Sequence, residues 1–155
     1  MTTYALAPVS IIDMSLLSLE FHCDGQPADG NAEIAFSQQA PVYQEDEEGV
    51  AVKVWLGVTV NVPREDAGDV PRARICAQAK GLFGLVAEDA QPLGDRAKSY
   101  LRQNALSLLY GFLRGHVSSV TAASDAGDII LPPMVPGILA AEFDGAGEDS
   151  QDSGC

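Results

Sequence analysis

One stretch of strict two-residue alternation constrains this chain more than any other feature. Between residues 50 and 62 every second side chain is a valine or a leucine, and the side chains between them are small, polar or aromatic. The apolar set is Val50, Val52, Val54, Leu56, Val58, Val60 and Val62. Because successive side chains of a strand point to opposite faces of its sheet, the pattern predicts a half-buried antiparallel strand.

Two further strands are predicted upstream of this one. The first lies within residues 10–23, and its alternation places on one face Leu17, Leu19, Phe21 and Cys23. The second covers residues 31–43 and is interrupted by Pro41, which has no N–H to donate to a ladder. An acidic turn at residues 45–49 ends it, so we expect a hairpin with the strand at 50–62.

A fourth strand is predicted over residues 72–85, where alternation returns. The inward set is Ala73, Ile75, Ala77 and Ala79, and the outward set is Arg72, Arg74, Gln78 and Lys80. The strands are expected in meander order, each beside the next in the sequence. Trp55 falls on the polar face of its strand, where a role in an interface and a merely half-buried aromatic are equal alternatives.

A long helix is predicted from Asp95 to about residue 123, because this stretch has no proline. Its apolar side chains form two adjacent rows, Leu101, Ala105, Leu108, Phe112 and Ser119 in one, and Leu106, Leu109, Leu113, Val117 and Val120 in the other. A lone domain needs to bury only one face of a helix, so the surplus predicts contact between helices of different subunits. Gly111 and Gly115 would permit close approach there.

The chain is predicted to form one α+β domain over residues 10–143, with a four-stranded antiparallel sheet, a long helix and a short C-terminal helix. Prolines make residues 128–136 extended, and residues 137–143 supply the short helix. Residues 1–9 are expected to be flexible. Residues 144–155 have no large apolar side chain and are expected to be a disordered acidic tail.

Charge excludes two classes of partner. The formal net charge is -13, from 22 acidic and 9 basic side chains, which repels nucleic-acid phosphates and anionic headgroups. The first 20 residues lack a basic region and a bilayer-spanning apolar run, so no membrane insertion is expected. The three cysteines are an odd number without CxxC spacing, which indicates no disulfide framework and fits the reducing cytoplasm.

Residues that could support catalysis or metal binding are few. His22 and His116 lack metal-ligand spacing, and Cys76 stands in an ordinary strand pattern without a nucleophile elbow. The acidic turn at 45–48 lacks the pattern of a calcium loop. We therefore expect no metal, no cofactor and no enzymatic activity.

Several short motifs occur in an order that resembles the SecB family of protein-export chaperones. They are SLE at 18–20, VKVWLGVTV at 52–60, KGLFGL at 80–85, LLYGFLRGHVSSV at 108–120 and ILPPM at 130–134. Together with the strand, helix and tail order, the resemblance covers roughly residues 10–143. It implies a chaperone that holds unfolded or precursor proteins in apolar grooves and forms a homotetramer as a dimer of dimers.

The resemblance also implies which residues carry the function. The client-binding groove would contain Ile34, Phe36, Val42, Tyr43, Leu82, Phe83, Met134, Ile138, Leu139 and Phe143. The oligomer interface would contain Leu101, Leu108, Leu109, Phe112 and Gly115. For Phe36, Leu82 and Phe83 an ordinary place in the core is the alternative, since large apolar side chains are usually buried for packing alone.

Docking of the translocase motor SecA is implied at Ser18 and Glu20, and here the sequence departs from the family pattern. Leu16 and Cys76 stand where further acidic side chains are usual, and a row of Arg72, Arg74 and Lys80 adds positive charge. Because of these departures, the sequence does not decide whether SecA docks. They also leave open an alternative, a SecB-like adaptor dedicated to one partner such as the antitoxin of a toxin-antitoxin system.

Overall fold

The structure, a computed structural model, describes residues 9–25, 32–64, 70–86 and 94–134. It contains five strands and one long helix: β1 (Ser10–Cys23), β2 (Glu33–Gln38), β3 (Val42–Asp46), β4 (Gly49–Val62), β5 (Ala73–Val86) and α1 (Asp95–Ala122). The α+β class, the antiparallel sheet and the long helix are confirmed. The short helix predicted at 137–143 and the tail at 144–155 lie outside the described residues, as do residues 1–8 of the segment expected to be flexible.

β4 is the centre of the sheet. It pairs with β5 along its whole length, from Gly49 opposite Val86 to Val62 opposite Ala73. The predicted inward sets of both strands are almost completely removed from solvent: Val50, Val52, Val54, Leu56, Val58, Val60, Val62, Ala73, Ile75, Ala77 and Ala79. All of them except Val62 and Ala73 belong to one core cluster with the buried side chains of α1. Period-2 alternation therefore identified the two strands that form the floor of the core.

The predicted meander order is wrong for the first strand. The order in the sheet is β1-β5-β4-β2, with β3 also paired to β4. β1 thus lies beside the last strand rather than beside the second. β1, β4 and β5 are all 14 residues long, whereas β2 and β3 have six and five residues. Because β4 pairs with β5 on one edge and with β2 and β3 on the other, the remaining edge of β5 is the one of matching length for β1.

The second predicted strand is two strands rather than one, which gives five strands instead of four. Residues 39–41 separate β2 from β3, and both strands pair with β4, one after the other along its edge. Pro41 explains the break, because it cannot donate to the ladder. The hairpin with the central strand is confirmed for β3, where Asp46 Oδ1 accepts the backbone N–H groups of Glu48 at 2.9 Å and Gly49 at 3.1 Å.

The predicted alternation of β1 holds for Leu19, Phe21 and Cys23 but fails at Leu17, where the strand has a bulge. The register against β5 shifts between Leu16 and Ser18, so the extra residue, Leu17, changes the alternation. Leu17 is 48% exposed, whereas Leu16, Leu19 and Phe21 pack against the core. A bulge inserts one residue without changing composition, so strict alternation cannot reveal it.

α1 begins at Asp95, as predicted, and buries mainly one of its two apolar rows. The fully or nearly buried side chains are Leu101, Ala105, Leu106, Leu109, Tyr110, Leu113, Val117 and Thr121. Leu108 remains 38% exposed, and Gly111 and Gly115 are exposed beside it. Within the described ranges no helix combines the length and apolar character that crossing a membrane requires.

Two adjacent leucines of α1 should differ sharply in their contribution to stability. Leu109 is 0% exposed, so replacing it with alanine removes buried methyl groups and leaves a cavity, and Leu109→Ala should lower the free energy of unfolding by about 2–5 kcal/mol. Leu108→Ala, at an exposed position, should change it by less than about 1 kcal/mol. Urea denaturation, at a protein concentration too low for association, measures both; equal losses would contradict the described packing.

Candidate functional site

The edge of the sheet formed by β2 and β3 carries half-buried apolar side chains. Ile34 and Phe36 lie opposite Val60 and Val58 of β4, so they point to the same face as the core. Tyr43 of β3 does the same opposite Val52. All three pack against the core but stay partly exposed, because α1 packs mainly on β4 and β5. Only the side of α1 that carries Tyr110 reaches this edge. There the Phe36 and Tyr110 rings meet edge to face with centroids 5.8 Å apart.

The extended segment after α1 is fastened back onto the helix by four hydrogen bonds. The donor and acceptor pairs are Ser118 Oγ to Asp128 Oδ1 at 2.7 Å, Ile129 N to Thr121 Oγ1 at 2.8 Å, Arg114 Nε to the Leu131 carbonyl at 2.7 Å, and Tyr110 Oη to the Pro132 carbonyl at 2.5 Å. The segment therefore runs antiparallel to the helix. Leu131 is 1% exposed and belongs to the core, and Met134 packs against the same core.

We call Ile34, Phe36, Tyr43, Tyr110 and Met134 the edge cluster. An ion pair supports one end of it: Lys98 Nζ of α1 lies 2.8 Å from Glu45 Oε2 of β3. The hydrogen bond to Glu45 and its negative charge raise the pKa of Lys98, in that order of size. Both side chains are about one third exposed, so the pair orients β3 against α1 more than it stabilises the fold.

The predicted groove residues separate into three groups. Ile34, Phe36, Tyr43 and Met134 belong to the edge cluster. Val42 and Leu82 point to the opposite face of the sheet, since Val42 lies opposite Lys53 and Lys53 lies opposite Leu82. Phe83 is 0% exposed in the core, where its ring occupies the place in which a Cβ on Gly81 would stand. Ile138, Leu139 and Phe143 lie outside the described residues. A role for any of them in client binding stays a prediction.

The face of the sheet that points away from α1, here called the outer face, is more polar. On β4 it carries Lys53 and Trp55, with Lys53 Nζ 5.8 Å from the centre of the half-buried indole ring. On β1, Ser18 and Glu20, the predicted docking residues, lie opposite Gln78 and Cys76 of β5. A shallow depression at this place is lined by Glu20, Phe21, His22, Arg74 and Cys76.

Cys76 departs from the expectation that the cysteines form no disulfide. It is disulfide-bonded, whereas Cys23 is a free thiol. Cys76 Sγ also lies 3.4 Å from the Thr59 hydroxyl. A sulfur in a disulfide is not a nucleophilic thiolate, which removes the arrangement that a cysteine nucleophile would need.

The predicted interface residues of α1 lie on two sides of the helix. Leu101 and Leu109 are 0% exposed within the core of this chain. Leu108, Phe112 and Gly115 lie on the outward side, where the Phe112 and His116 rings are in edge contact at 4.5 Å. A Cβ added to Gly111 or Gly115 would meet no atom within 4 Å, so another helix has room to approach there. Among the described residues, no group of three or more His, Cys, Asp or Glu side chains is placed to hold a metal ion.

Sequence reasoning missed the side chains that fasten the segment, above all Tyr110 and Arg114. A signal existed: both are polar-tipped residues one turn apart on an apolar helix, upstream of a proline-rich stretch. Prolines leave carbonyl groups without a ladder partner, and such carbonyls need donors when they pack against a core. Lys98 gave no comparable signal, because its partner Glu45 is distant in the sequence.

The Tyr110 hydroxyl should make the stability of the protein depend on alkaline pH. Burial raises the pKa of Tyr110 above its ordinary value, and the charge of Arg114 opposes this rise. The folded state therefore holds the hydroxyl proton more tightly than the unfolded state. This contribution is complete below pH of about 10 and is lost as pH rises through the higher folded pKa.

Tyr110→Phe should lower the free energy of unfolding by about 0.5–1.5 kcal/mol at neutral pH, because it removes the hydrogen bond to the Pro132 carbonyl. It should also weaken the fall in stability above pH of about 10. Tyr100→Phe, on the same helix, is the matched control. Chemical denaturation across neutral and alkaline pH gives both quantities, and an unchanged alkaline profile in Tyr110→Phe would refute the assignment.

Comparison with known proteins bears on the fold. No family model and no curated protein matches the sequence. Among solved structures, the chain is similar to the SecB-like chaperone Rv1957 of Mycobacterium tuberculosis, in complex with a ChAD peptide from the Rv1956 HigA1 antitoxin, with a TM-score of 0.53 and 18% identity. The match covers 81% of this chain and 90% of that chain. This chain therefore has the fold of the SecB-like chaperones, as its motifs predicted.

Proposed function

We propose that this protein is a holdase chaperone that binds unfolded or precursor proteins at the edge cluster. One observation carries the proposal: half-buried apolar side chains, Ile34, Phe36 and Tyr43, follow one another along the strands at one edge of the sheet. Among the described strands, β2 is the last on its side. The edge thus offers a client both apolar contact and backbone hydrogen-bonding groups.

The chemistry of an unfolded client fits such a surface. An unfolded chain exposes apolar side chains and unpaired backbone groups, and each square ångström of apolar surface removed from water is worth about 25 cal/mol. A site of this kind gives modest affinity with little sequence selectivity, which suits holding rather than folding. No nucleotide or catalytic group is needed, so the proposed activity is non-enzymatic.

Oligomerisation would raise the affinity for long clients. The proposed assembly is a homotetramer built as a dimer of dimers, with the outward side of α1 between subunits. The exposed Leu108 and the two exposed glycines supply the apolar surface and the close approach that such a contact requires. Several weak sites on one particle then act together on one client.

A cytoplasmic location is proposed with this function, and a role in protein export would follow if SecA docked at Ser18 and Glu20. The support for docking is limited to the position of these residues on the outer face. Arg74 and Lys80 on the same face oppose the purely acidic surface that the family uses.

A second candidate function is an adaptor dedicated to one partner. The similar Mycobacterium tuberculosis structure was solved with an antitoxin peptide, which favours this alternative specifically. Such an adaptor would have the same fold and would not need SecA docking. Affinity capture with the full chain distinguishes the two: one dominant partner favours the adaptor, and a broad set of unfolded proteins favours the general holdase.

Polar substitutions in the edge cluster should weaken client binding. Ile34→Ser and Phe36→Ser each remove apolar contact worth at least about 1.4 kcal/mol, so binding of a reduced, unfolded client should weaken about tenfold or more. Val70→Ser, at a 55% exposed position outside the cluster, is the matched control. Fluorescence anisotropy of a labelled client, with circular dichroism to verify folding, measures the effect. Equal binding by all four proteins would place the site elsewhere.

The native mass should correspond to four chains of 16.3 kDa. Leu108→Asp places a charge on the proposed helix contact and should reduce the assembly, because an unpaired charge cannot be buried cheaply. Gln103→Asp on the same helix controls for charge alone. Light scattering after size exclusion reads the mass. A monomeric wild-type protein at micromolar concentration would refute the tetramer and leave the edge cluster without avidity.

A further inference from the structure

One amide side chain interrupts the row of inward side chains along β2 and β3. Gln38 is the last residue of β2 and lies opposite Leu56 of β4, so it points to the core face, as Phe36 does two residues earlier. Residues 39–41 then break the ladder, and the row continues with Tyr43 of β3. Gln38 therefore stands inside the edge cluster, between two of its aromatic members.

The side-chain oxygen of Gln38 is buried, and it has no hydrogen-bond partner within the ranges that the structure describes. The residue as a whole is only half-buried, so its amide lies near the surface of the cluster. Folded proteins leave few buried acceptors without a donor, because such an acceptor has lost its bonds to water and gained none in return. An apolar side chain of similar length would avoid this loss, so packing alone does not explain a glutamine here.

We propose that Gln38 selects the client segments that bind at the edge cluster by accepting a hydrogen bond from a client backbone N–H group. The inference rests on the proposed client-binding function and specifies the chemistry of the ligand. That ligand is an extended segment with apolar side chains and, between them, a peptide N–H group that faces Gln38. A segment with proline at this position has no N–H group to donate and binds less tightly.

The amide can meet such a donor at low cost. The terminal torsion of a glutamine side chain has a broad distribution, so rotation about it turns the oxygen from the interior toward the client. A client N–H group that enters an apolar row has lost its water, and one bond then satisfies both donor and acceptor. Because β2 ends at Gln38, this oxygen serves the client at the point where the backbone edge of the strand stops.

The dimensions of the row define the probe. The ten positions from Ile34 to Tyr43 correspond to roughly 33 Å of extended chain. A labelled synthetic peptide of the same length, with leucine at alternate positions, matches the spacing of inward side chains on a strand. A series of related peptides replaces one backbone amide at a time with an ester, which removes one N–H group and keeps every side chain.

Fluorescence anisotropy with the full chain measures the binding of each peptide. For the wild type, the most sensitive central ester position should raise the dissociation constant about fivefold to tenfold, because that ester gives Gln38 no donor. Gln38→Met keeps the side-chain length and removes the acceptor, so the same ester should change binding less than about twofold. Gln44→Met, on the same edge but on the outer face opposite Ala51, is the matched control and should retain the full ester effect.

Stability distinguishes this role from a structural one. Gln38→Met removes a buried acceptor that has no donor, so the urea midpoint of the free protein should equal that of the wild type or exceed it. A fall in the midpoint larger than that of Gln44→Met would show that the amide is hydrogen-bonded in the free protein, which would overturn the proposal.

The peptide series also separates this inference from the function on which it rests. A wild type that binds no amide peptide would refute client binding at the edge cluster, and the role of Gln38 with it. A wild type that binds the amide peptide, with an ester effect that is absent or equal to that in Gln38→Met, would refute the role of Gln38 alone. The edge cluster would then remain a client site without selection for a backbone N–H group.

Discussion

The full-length pairing of β4 with β5 is the interaction on which the rest of the structure depends. Every inward position of β4 is filled by valine or leucine, and β5 opposes these with smaller side chains over much of its length. Large side chains facing small ones leave a shallow surface on which a helix can lie closely. α1 fills this surface with one apolar row, and β1 completes the floor on the far side of β5.

The same arrangement determines where apolar surface is left uncovered. A single helix is too narrow to cover a sheet of this width, since its diameter with side chains is about 10–12 Å and neighbouring strands are about 4.8 Å apart. α1 is centred on β4 and β5, so β2 and β3 are covered only at the border. Four hydrogen bonds hold the segment after α1 along the helix, and Ile34, Phe36 and Tyr43 stay partly exposed. The proposed binding site is thus a geometric result of one helix on one wide sheet.

The structural features that could be predicted from the sequence are those that depend on residues close together in the chain. The faces of β4 and β5 and the start of α1 were predictable, because alternation and the lack of proline are properties of adjacent residues. The partner of β1 was not, since pairing with β5 joins residues 50 to 74 positions apart and depends on which strand edge is left unpaired. The bulge at Leu17 was missed because one inserted residue changes the face without changing composition. At the candidate site, the apolar members of the edge cluster came from a family resemblance, whereas Tyr110 and Arg114 were identified only when the carbonyls they bond were placed.

The contact between Phe83 and Gly81 limits how this protein can change over evolutionary time. The ring occupies the space that any side chain at position 81 would need, whereas the neighbouring Lys80 and Leu82 point outward and are half-buried. Substitutions at positions 80, 81 and 82 are therefore under different selection. Substitutions at the two outward positions do not meet the ring, while position 81 is held to glycine for as long as an aromatic ring fills the core beside it.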